Sequence, residues 1–563
     1  EKFPTRGFMS SMETPLIVAK DGWATADSIL LIWPDNTFEY ITHRNPSDVS
    51  ITYRHLLPKF DYNSLLRSDI SKLTVQDLTN YSKLNFAHRE NPFVEFNREP
   101  LIPHAVSNEG PAIASADVNG DNLDDIYLGN AKWEKSELWI QNSNNTFYKS
   151  DQKSISSDST YEDTDATFAD LNNDGFTDLI VASGGNEFSG NSEFLLPRVY
   201  MNDGKGNFLK NTSSIQNVYT TASCVLAYDF SGDGYADLFI GSRAVPWKYG
   251  EIPKSYFLKN DGQGNFMDVT DAYSLDDGKL GLITSGQWAD MDGDGSKDLV
   301  LSVEWDRVMI LINKKGKFDR INVGNESGWW KFIHVIDVDN DGDKDIVAGN
   351  FGQNSRLKAT DKEPITMYYN DFDQNDTKEQ LVTYYLKGKE TPVANIVELH
   401  KQIPVLKKSF LKATDFAKAT IPELFPNADW KNMTKFKVNY LMSCVFINDG
   451  NLKFTVKPLP TRAQLSTFLT ATSADLNGDS LPDLILGGNY YENNVQQGRS
   501  DGDYCSFLIN KGKGNFEFIE HEGLQIKGQV RKIVPINGGS NNRFVVGRNN
   551  EPVLLIECKD VNN

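Results

Sequence analysis

Six short stretches of this 563-residue chain have the oxygen-rich spacing of a hard-cation ligand set. Each fits Asp-x-(Asp/Asn/Ser)-x-Asp-x-x-x-Asp and runs at once into an apolar, β-type segment. Their first, third, fifth and ninth residues are Asp117, Asn119, Asp121 and Asp125; Asp170, Asn172, Asp174 and Asp178; Asp229, Ser231, Asp233 and Asp237; Asp290, Asp292, Asp294 and Asp298; Asp337, Asp339, Asp341 and Asp345; and Asp475, Asn477, Asp479 and Asp483. Calcium takes about 6–8 oxygens at roughly 2.3–2.6 Å in flexible geometry. These side chains, with the carbonyl of the seventh residue, supply most of such a shell, so the expected cofactor is Ca2+ at about six sites.

To wrap an ion the backbone has to turn into the left-handed region, which Gly and Asn tolerate best. The fourth residues are Gly120, Asn173, Gly232, Gly293, Asn340 and Gly478; the sixth are Asn122, Gly175, Gly234, Gly295, Gly342 and Ser480. Ser480 is the poorest fit. An EF-hand would need a 12-residue loop ending in Glu between helices; here Asp is ninth and β-branched runs follow, so that reading fails. One copy alone reads equally well as a metal-free Asx turn. The repetition of the same oxygens at the same places favours the ion.

The elements that must position these loops repeat with them. Loop starts lie 53, 59, 61, 47 and 138 residues apart, a spacing that points to a repeat architecture and, with four strands per unit, to a propeller. Each unit reads as strand, acidic loop, strand, Gly-rich or aromatic loop, and hairpin, with Asn/Gly turns at 202–208 and 260–266 and related ones at 142–147, 313–318, 448–454 and 510–516. A seventh unit without metal ligands has three strands, 530–534, 543–546 and 553–556. Its fourth strand is expected from 93–96, closing the ring and removing an exposed edge. The fold class is therefore all-β: a seven-bladed propeller over 107–558, a small N-terminal β segment over 1–58, a connector over 59–106, and a partly helical insertion near 352–440. In the N-terminal segment, 28–33, 38–41 and 51–53 read as strands, and 73–78 in the connector as a short helical turn. Within the insertion, 365–369 and 380–385 pair as a hairpin around Asp371, Asp373, Asn375 and Glu379, an imitation of the metal loop in which Asp376 replaces the helpful Gly. Residues 395–425 read as helical, with Lys407, Lys408, Lys412 and Lys418 as a solvated cap or a docking surface.

Net charge is −20, and the six loops hold 22 of the 77 acidic residues, so six divalent ions would leave about −8. The acidity is unfilled coordination rather than a solvating tail, and it argues against nucleic acid, which needs basic patches. Cys224, Cys444, Cys505 and Cys558 each lie in an apolar run, which reads as free buried thiols rather than a disulfide framework. No 18-residue apolar stretch exists to span a membrane. No signal peptide stands at Glu1, and the chain begins mid-pattern.

In an up-and-down blade the loops after the second strand share the face opposite the acidic loops. They carry Trp133, Asn186 with Phe188, Arg243 with Trp247 and Tyr249, Trp305 with Arg307, Asn350 with Phe351, Tyr490 with Tyr491, and Arg548 with Asn549, while Trp329 and Trp330 enter the same face. Rings beside amides and guanidinium groups suit sugar faces or peptide segments; the plainer alternative is that they cover the blade ends. No Ser–His–Asp signature or His-Glu-x-x-His exists, and His88, His104 and His334 read as structural. No catalytic residue is assigned.

The acidic repeats over 107–558 resemble the FG-GAP or VCBS family, best known from the integrin α-subunit propeller. Arg6 to Ser11, then Ala26 to Ile29, then Trp33-Pro34-Asp35 resembles the last part of an ASPIC/UnbV domain. The combination, with the run from Asn91 to His104, is similar to large surface proteins of Bacteroidota and in plan to cartilage acidic protein. The resemblance implies recognition on the face opposite the calcium loops. It also implies a cell-surface or outer-membrane location, with a further propeller and a lipid anchor in a precursor. The expected function is a calcium-stabilised adhesion or binding module for a glycan or protein partner, accessory to an outer-membrane nutrient-uptake complex. The alternative is a calcium-dependent polysaccharide lyase or hydrolase, since some calcium-rich propellers are lyases and a carboxylate pair could serve a glycosidase.

Overall fold

The computed structural model describes residues 29–41, 51–62, 73–273, 275–315, 317–537 and 542–560. The chain divides into two compact units, Glu1–Ile70 and Ser71–Asn563. In the first, Ile29–Ile32 and Phe38–Ile41 form an antiparallel hairpin, turned by Asn36 at φ 65°. Ile51 to Tyr53 was expected as a third strand and is not one. It is anchored by side chains instead: the Tyr53 hydroxyl donates to Asp35 and its ring meets Trp33 edge-on at 5.2 Å. The ASPIC/UnbV-like residues Arg6 to Ser11 and Ala26 to Ser28 lie outside the described residues.

Seven of the eight sheets described in the second unit are blades, one to seven in chain order, whose first strands adjoin one another in a closed circuit. Those strands are Ile113–Ala116, Asp163–Ala169, Thr221–Tyr228, Leu282–Ala289, Phe332–Ile336, Phe468–Ala474 and Gln529–Pro535. The last adjoins the first. The apolar runs after the acidic loops become second strands buried on both faces, such as Asp178–Ser183 and Asp237–Ala244. Outer strands are more open, as in Phe147–Ser150, where Phe147 is buried and Tyr148 and Lys149 are exposed. Blades pack through shared apolar layers; between blades three and four Phe230, Phe239, Phe257 and Phe318 sit in one cluster. The four cysteines are free and buried, with burial pushing the Cys224 thiol up to about 12.

Blade seven is completed by the connector, at a place other than expected. Leu73–Asp77 pairs antiparallel with Leu554–Asp560, while 93–96 is no strand and Glu95–Asn97 is a short 3-10 turn. The Leu73-Thr-Val75 alternation buries both apolar residues in the blade-seven core, a packing gain that outweighs any local helical preference. Glu95 is instead drawn inward, its carboxylate accepting from the Val106 and Ser107 amides.

The insertion departs between the second and third strands of blade five. It folds its own sheet, in the order Lys389–Pro392, Glu379–Leu386, Ile365–Asn370, Thr434–Val438. The expected hairpin and helices are present. Ile396–Gln402 starts from a capping box of Asn395 and Glu398, and Ile421–Leu424 from Thr420 and Glu423. Leu399, Ile403, Leu406, Leu424 and Phe425 close a core under the sheet with Phe372 and Leu381.

Candidate metal loops and the face opposite them

All six acidic loops adopt one backbone path. The fourth and sixth residues are left-handed throughout, from Asn173 at φ 56° to Gly342 at 98°, and Ser480 complies at 68°. The ninth Asp opens each second strand and clamps the loop with both oxygens. In blade six the Asp483 Oδ2 accepts from the Leu476 amide and Oδ1 from the Asn510 amide, both at 2.8 Å. The first Asp gathers the turn: Asp117 accepts from the amides of Gly120, Asp121 and Asn122, and Asp229, Asp290 and Asp475 do the same in their loops.

Burial then sets the charge state of the ninth residues. It pushes Asp125 up to about 7 and Asp178, Asp298, Asp345 and Asp483 up to about 6, with acidic neighbours adding to the shift and backbone amides opposing it. A divalent ion would relieve that penalty, because it supplies the counter-charge that the loop lacks.

The donor set fits such an ion best at blade five. Ligand oxygens of Asp337, Asp339 and Asp345 lie within 4.8 Å of one another, and the buried Oδ1 atoms of Asp337 and Asp339 have no hydrogen-bond partner. Asp290, Asp292 and Asp294 converge likewise, though Lys314 Nζ lies 2.7 Å from Asp292 and competes for it. The insertion loop repeats the design: Asp371, Asp373 and Glu379 converge, Gln374 and Asp376 take the left-handed positions at φ 61° and 65°, and Glu379 accepts from the Phe372 amide. An Asp at the sixth place is thus compatible with the loop geometry.

Sequence reasoning missed the residues that join one loop to the next. In blades two, three, five and six the Asn that ends the third strand reads as a turn former, yet its side chain donates to the loop of the preceding blade. Asn202 reaches the Val118 carbonyl, Asn260 that of Leu171, and Asn510 that of Val338 at 2.7–2.9 Å. The available signal was the recurrence of Asn at this one place in successive units.

On the opposite face the expected aromatic set splits in two. Trp133 and Trp247 are 65% and 45% exposed, and Phe188 and Arg307 are half-buried. Arg243, Trp305, Trp329, Trp330, Phe351, Tyr490 and Arg548 are buried, so as surface-binding residues these seven are corrected. Trp305, Trp329 and Phe351 stack edge-on at 5.0–5.2 Å in a core shared with Ile102, Val106, Ile365 and Met367. The connector and the insertion lie over them. Glu99 pins that cover by accepting from the Tyr249 amide, Gln380 and Asn186. Arg548 clamps its own turn through the Pro552 carbonyl. The three histidines are structural: His104 meets Glu304 at 2.7 Å, His334 meets Ser473, and His88 accepts from the Asn550 amide.

What stays open is a platform over blades one to three. Trp247 donates through Nε1 to the Asn186 carbonyl. Arg98, absent from the sequence-derived set, stacks 4.3 Å over Trp247 and 5.4 Å from Phe93. Lys132 sits 3.8 Å over Phe188, which packs on Phe194 at 4.7 Å. Trp133 and Trp247 are held at φ 72° and 68°, a backbone region that costs a bulky residue on the order of 1–3 kcal/mol and persists only where its surroundings enforce it.

The FG-GAP-like repeat model matches residues 117–181, 170–240 and 290–348. Each match opens on the first Asp of an acidic loop and ends in the second strand of the following blade. The chain is a mostly-β protein of the propeller class, and its residues 117–240 and 290–348 match FG-GAP-like repeats. Among solved structures, YCF48 from Cyanidioschyzon merolae is similar at 8% identity and a TM-score of 0.40, covering 81% of this chain and 97% of that one. The Vibrio cholerae biofilm matrix protein Bap1 is similar at 14% identity and a TM-score of 0.32, covering 87% and 91%. No curated protein matches the chain.

Proposed function

We propose that the protein is a calcium-stabilised surface binding module of the adhesion type. It engages a glycan through the platform of Trp133, Phe188, Trp247 and Arg98. FG-GAP-like repeats support an interaction or adhesion role rather than a catalytic one. One observation carries the reading: two tryptophans are exposed and simultaneously locked in left-handed backbone on a rigid ring. Burial does not explain them, and flat rings beside a guanidinium and amides match the apolar face and hydroxyls of a sugar. Calcium fixes the loops on the far side and so holds the blades, and with them the platform, in register. No helix among the described residues is long and apolar enough to cross a membrane; placement at the cell surface, as part of an outer-membrane uptake complex, belongs to this proposal.

A glycan array probed with the full chain in calcium tests it. Binding should be lost in Trp133→Ala and Trp247→Ala at nearly unchanged melting temperature. Absence of binding to every glycan would sink the sugar reading and leave a protein ligand for the same platform.

A further inference from the structure

The first strands enclose a cavity of about 350 Å3 along the ring axis. Its lining reaches His334, three positions before the metal-loop residue Asp337, at one end. The other end is closed: His104 stacks edge-on between Tyr249 and Tyr490 at 5.6–5.7 Å, and the Tyr490 hydroxyl donates to the Ala105 carbonyl. Three cations face the cavity at this closed end, namely Arg243, Lys331 and Arg531.

Their pairing is incomplete. Glu304 takes Arg243 and Lys331 at 2.9 and 2.7 Å, and Glu109 takes Arg243 Nε at 2.8 Å. Arg531, only 8% exposed, has no ion pair with any carboxylate of the described residues. Its Nη2 donates to the Asn108 carbonyl and, at 3.4 Å, to Gln529, and its guanidinium lies 5.2 Å from the Tyr490 ring. Arg531 Nε and Arg243 Nη2 are buried donors with no acceptor. Buried cations are ordinarily paired, because an unpaired one is costly. Three cations against the two carboxylates paired with them leave a single positive charge; Glu90, which also interacts with Arg531, is pushed up to about 8 by burial and stays protonated near neutral pH.

We infer that the closed end of this channel binds a small monocarboxylate. Arg531 is its counter-charge, with Arg243 Nη2 and Lys331 as further donors. A guanidinium fork matches a carboxylate bidentately, and the residual charge of one suits a monoanion better than phosphate. Thr167 and Thr470 line the channel beyond, which admits a hydroxylated acid. The site lies inside the ring, apart from the aromatic platform, and stands or falls independently of it.

The test uses the full chain in calcium, titrated with acetate, lactate, gluconate and galacturonate, and with sulfate and phosphate, against sodium chloride of equal ionic strength. Melting temperature and calorimetry are the readouts. At least one carboxylate should bind saturably and raise the melting temperature above the chloride control. Arg531→Gln should weaken that binding tenfold or more. Glu109→Gln, which removes a competing negative charge at the rim while keeping a partner for Arg243, should tighten it several-fold. A merely structural Arg531 predicts no gain in the Glu109 variant, and that variant carries the test if Arg531→Gln does not fold. No carboxylate exceeding chloride, or sulfate and phosphate binding more tightly than all four, overturns the inference.

Discussion

Trp133 and Trp247 follow the second strands of blades one and three, Trp305 lies at an irregularity near the end of that of blade four, and all three sit at φ 68–72°. Their fates differ. The first two are open to solvent, whereas Trp305 is 2% exposed and donates to the Tyr249 hydroxyl beneath the connector and the insertion. One local design therefore serves two ends. Where other segments of the chain cover the tryptophan, the strained backbone is stabilised by burial. Where nothing covers it, the strain stays exposed, in the sector proposed above as the binding platform.

The comparison presumes a ring equally firm in both sectors, and calcium removal is the largest perturbation of that premise. A single site held at a hundredfold excess over its dissociation constant contributes about 2.7 kcal/mol, so loss at several loops should exceed any one substitution. The effect depends on pH. Burial raises Asp125 to about 7 and Asp178, Asp298, Asp345 and Asp483 to about 6. A carboxyl with a raised native pKa favours the fold while protonated, fully so below its unfolded value near 4 and no longer once pH passes the native value. Metal-free protein should accordingly melt progressively lower between pH 5 and 7.5, and added calcium should offset the decline. Equal melting curves with and without calcium at pH 7.5 would remove the stabilising role of the ion.

Trp305→Ala comes next. It opens a cavity in a core that includes Trp329, Phe351 and Met367, and it should cost about 3–5 kcal/mol, read as a lower denaturation midpoint. Trp247→Ala in the same assay should cost far less. Similar losses would mean that the two sectors do not differ as described.

How much of this was legible follows from where each signal lives. The acidic loops are local: every ligand and every left-handed position falls within nine residues, and Gly or Asn marks the turn. The blade unit repeats, so its strands and hairpins could be read by recurrence. Ring closure by Leu73–Asp77 depends on a partner at 554–560, almost the length of the chain away, whereas 73–78 reads locally as a helical turn and 93–96 as the strand. The burial of Trp305, Trp329 and Tyr490 is equally non-local. Nothing in a loop's own residues says that Glu99 and Gln380 will draw two other segments across it.

The Asn bridges sharpen the picture at smaller magnitude. Asn510→Ala leaves the Val338 and Pro482 carbonyls without their side-chain donor and should cost about 1–3 kcal/mol. Asn260→Ala, between blades two and three, loses the same two kinds of contact and should cost a similar amount. Chemical denaturation of both variants measures it. A loss confined to one of them would show that the covered and open sectors are not held by the same joint.

The smallest effect should have the opposite sign. Left-handed backbone costs a non-Gly residue about 1–2 kcal/mol, and Gly removes that cost while losing about 0.5–1 kcal/mol through the freedom of the unfolded chain. At Trp133, where the ring is 65% exposed and little burial is forfeited, Trp133→Gly should leave the protein as stable as before or more stable by up to about 1 kcal/mol. At Trp305 the same substitution forfeits a buried side chain, and the loss of packing outweighs the relief. Denaturant midpoints of the two Gly variants therefore move in opposite directions. A clear loss of stability in Trp133→Gly would mean that the exposed tryptophan is retained for the fold rather than for a ligand.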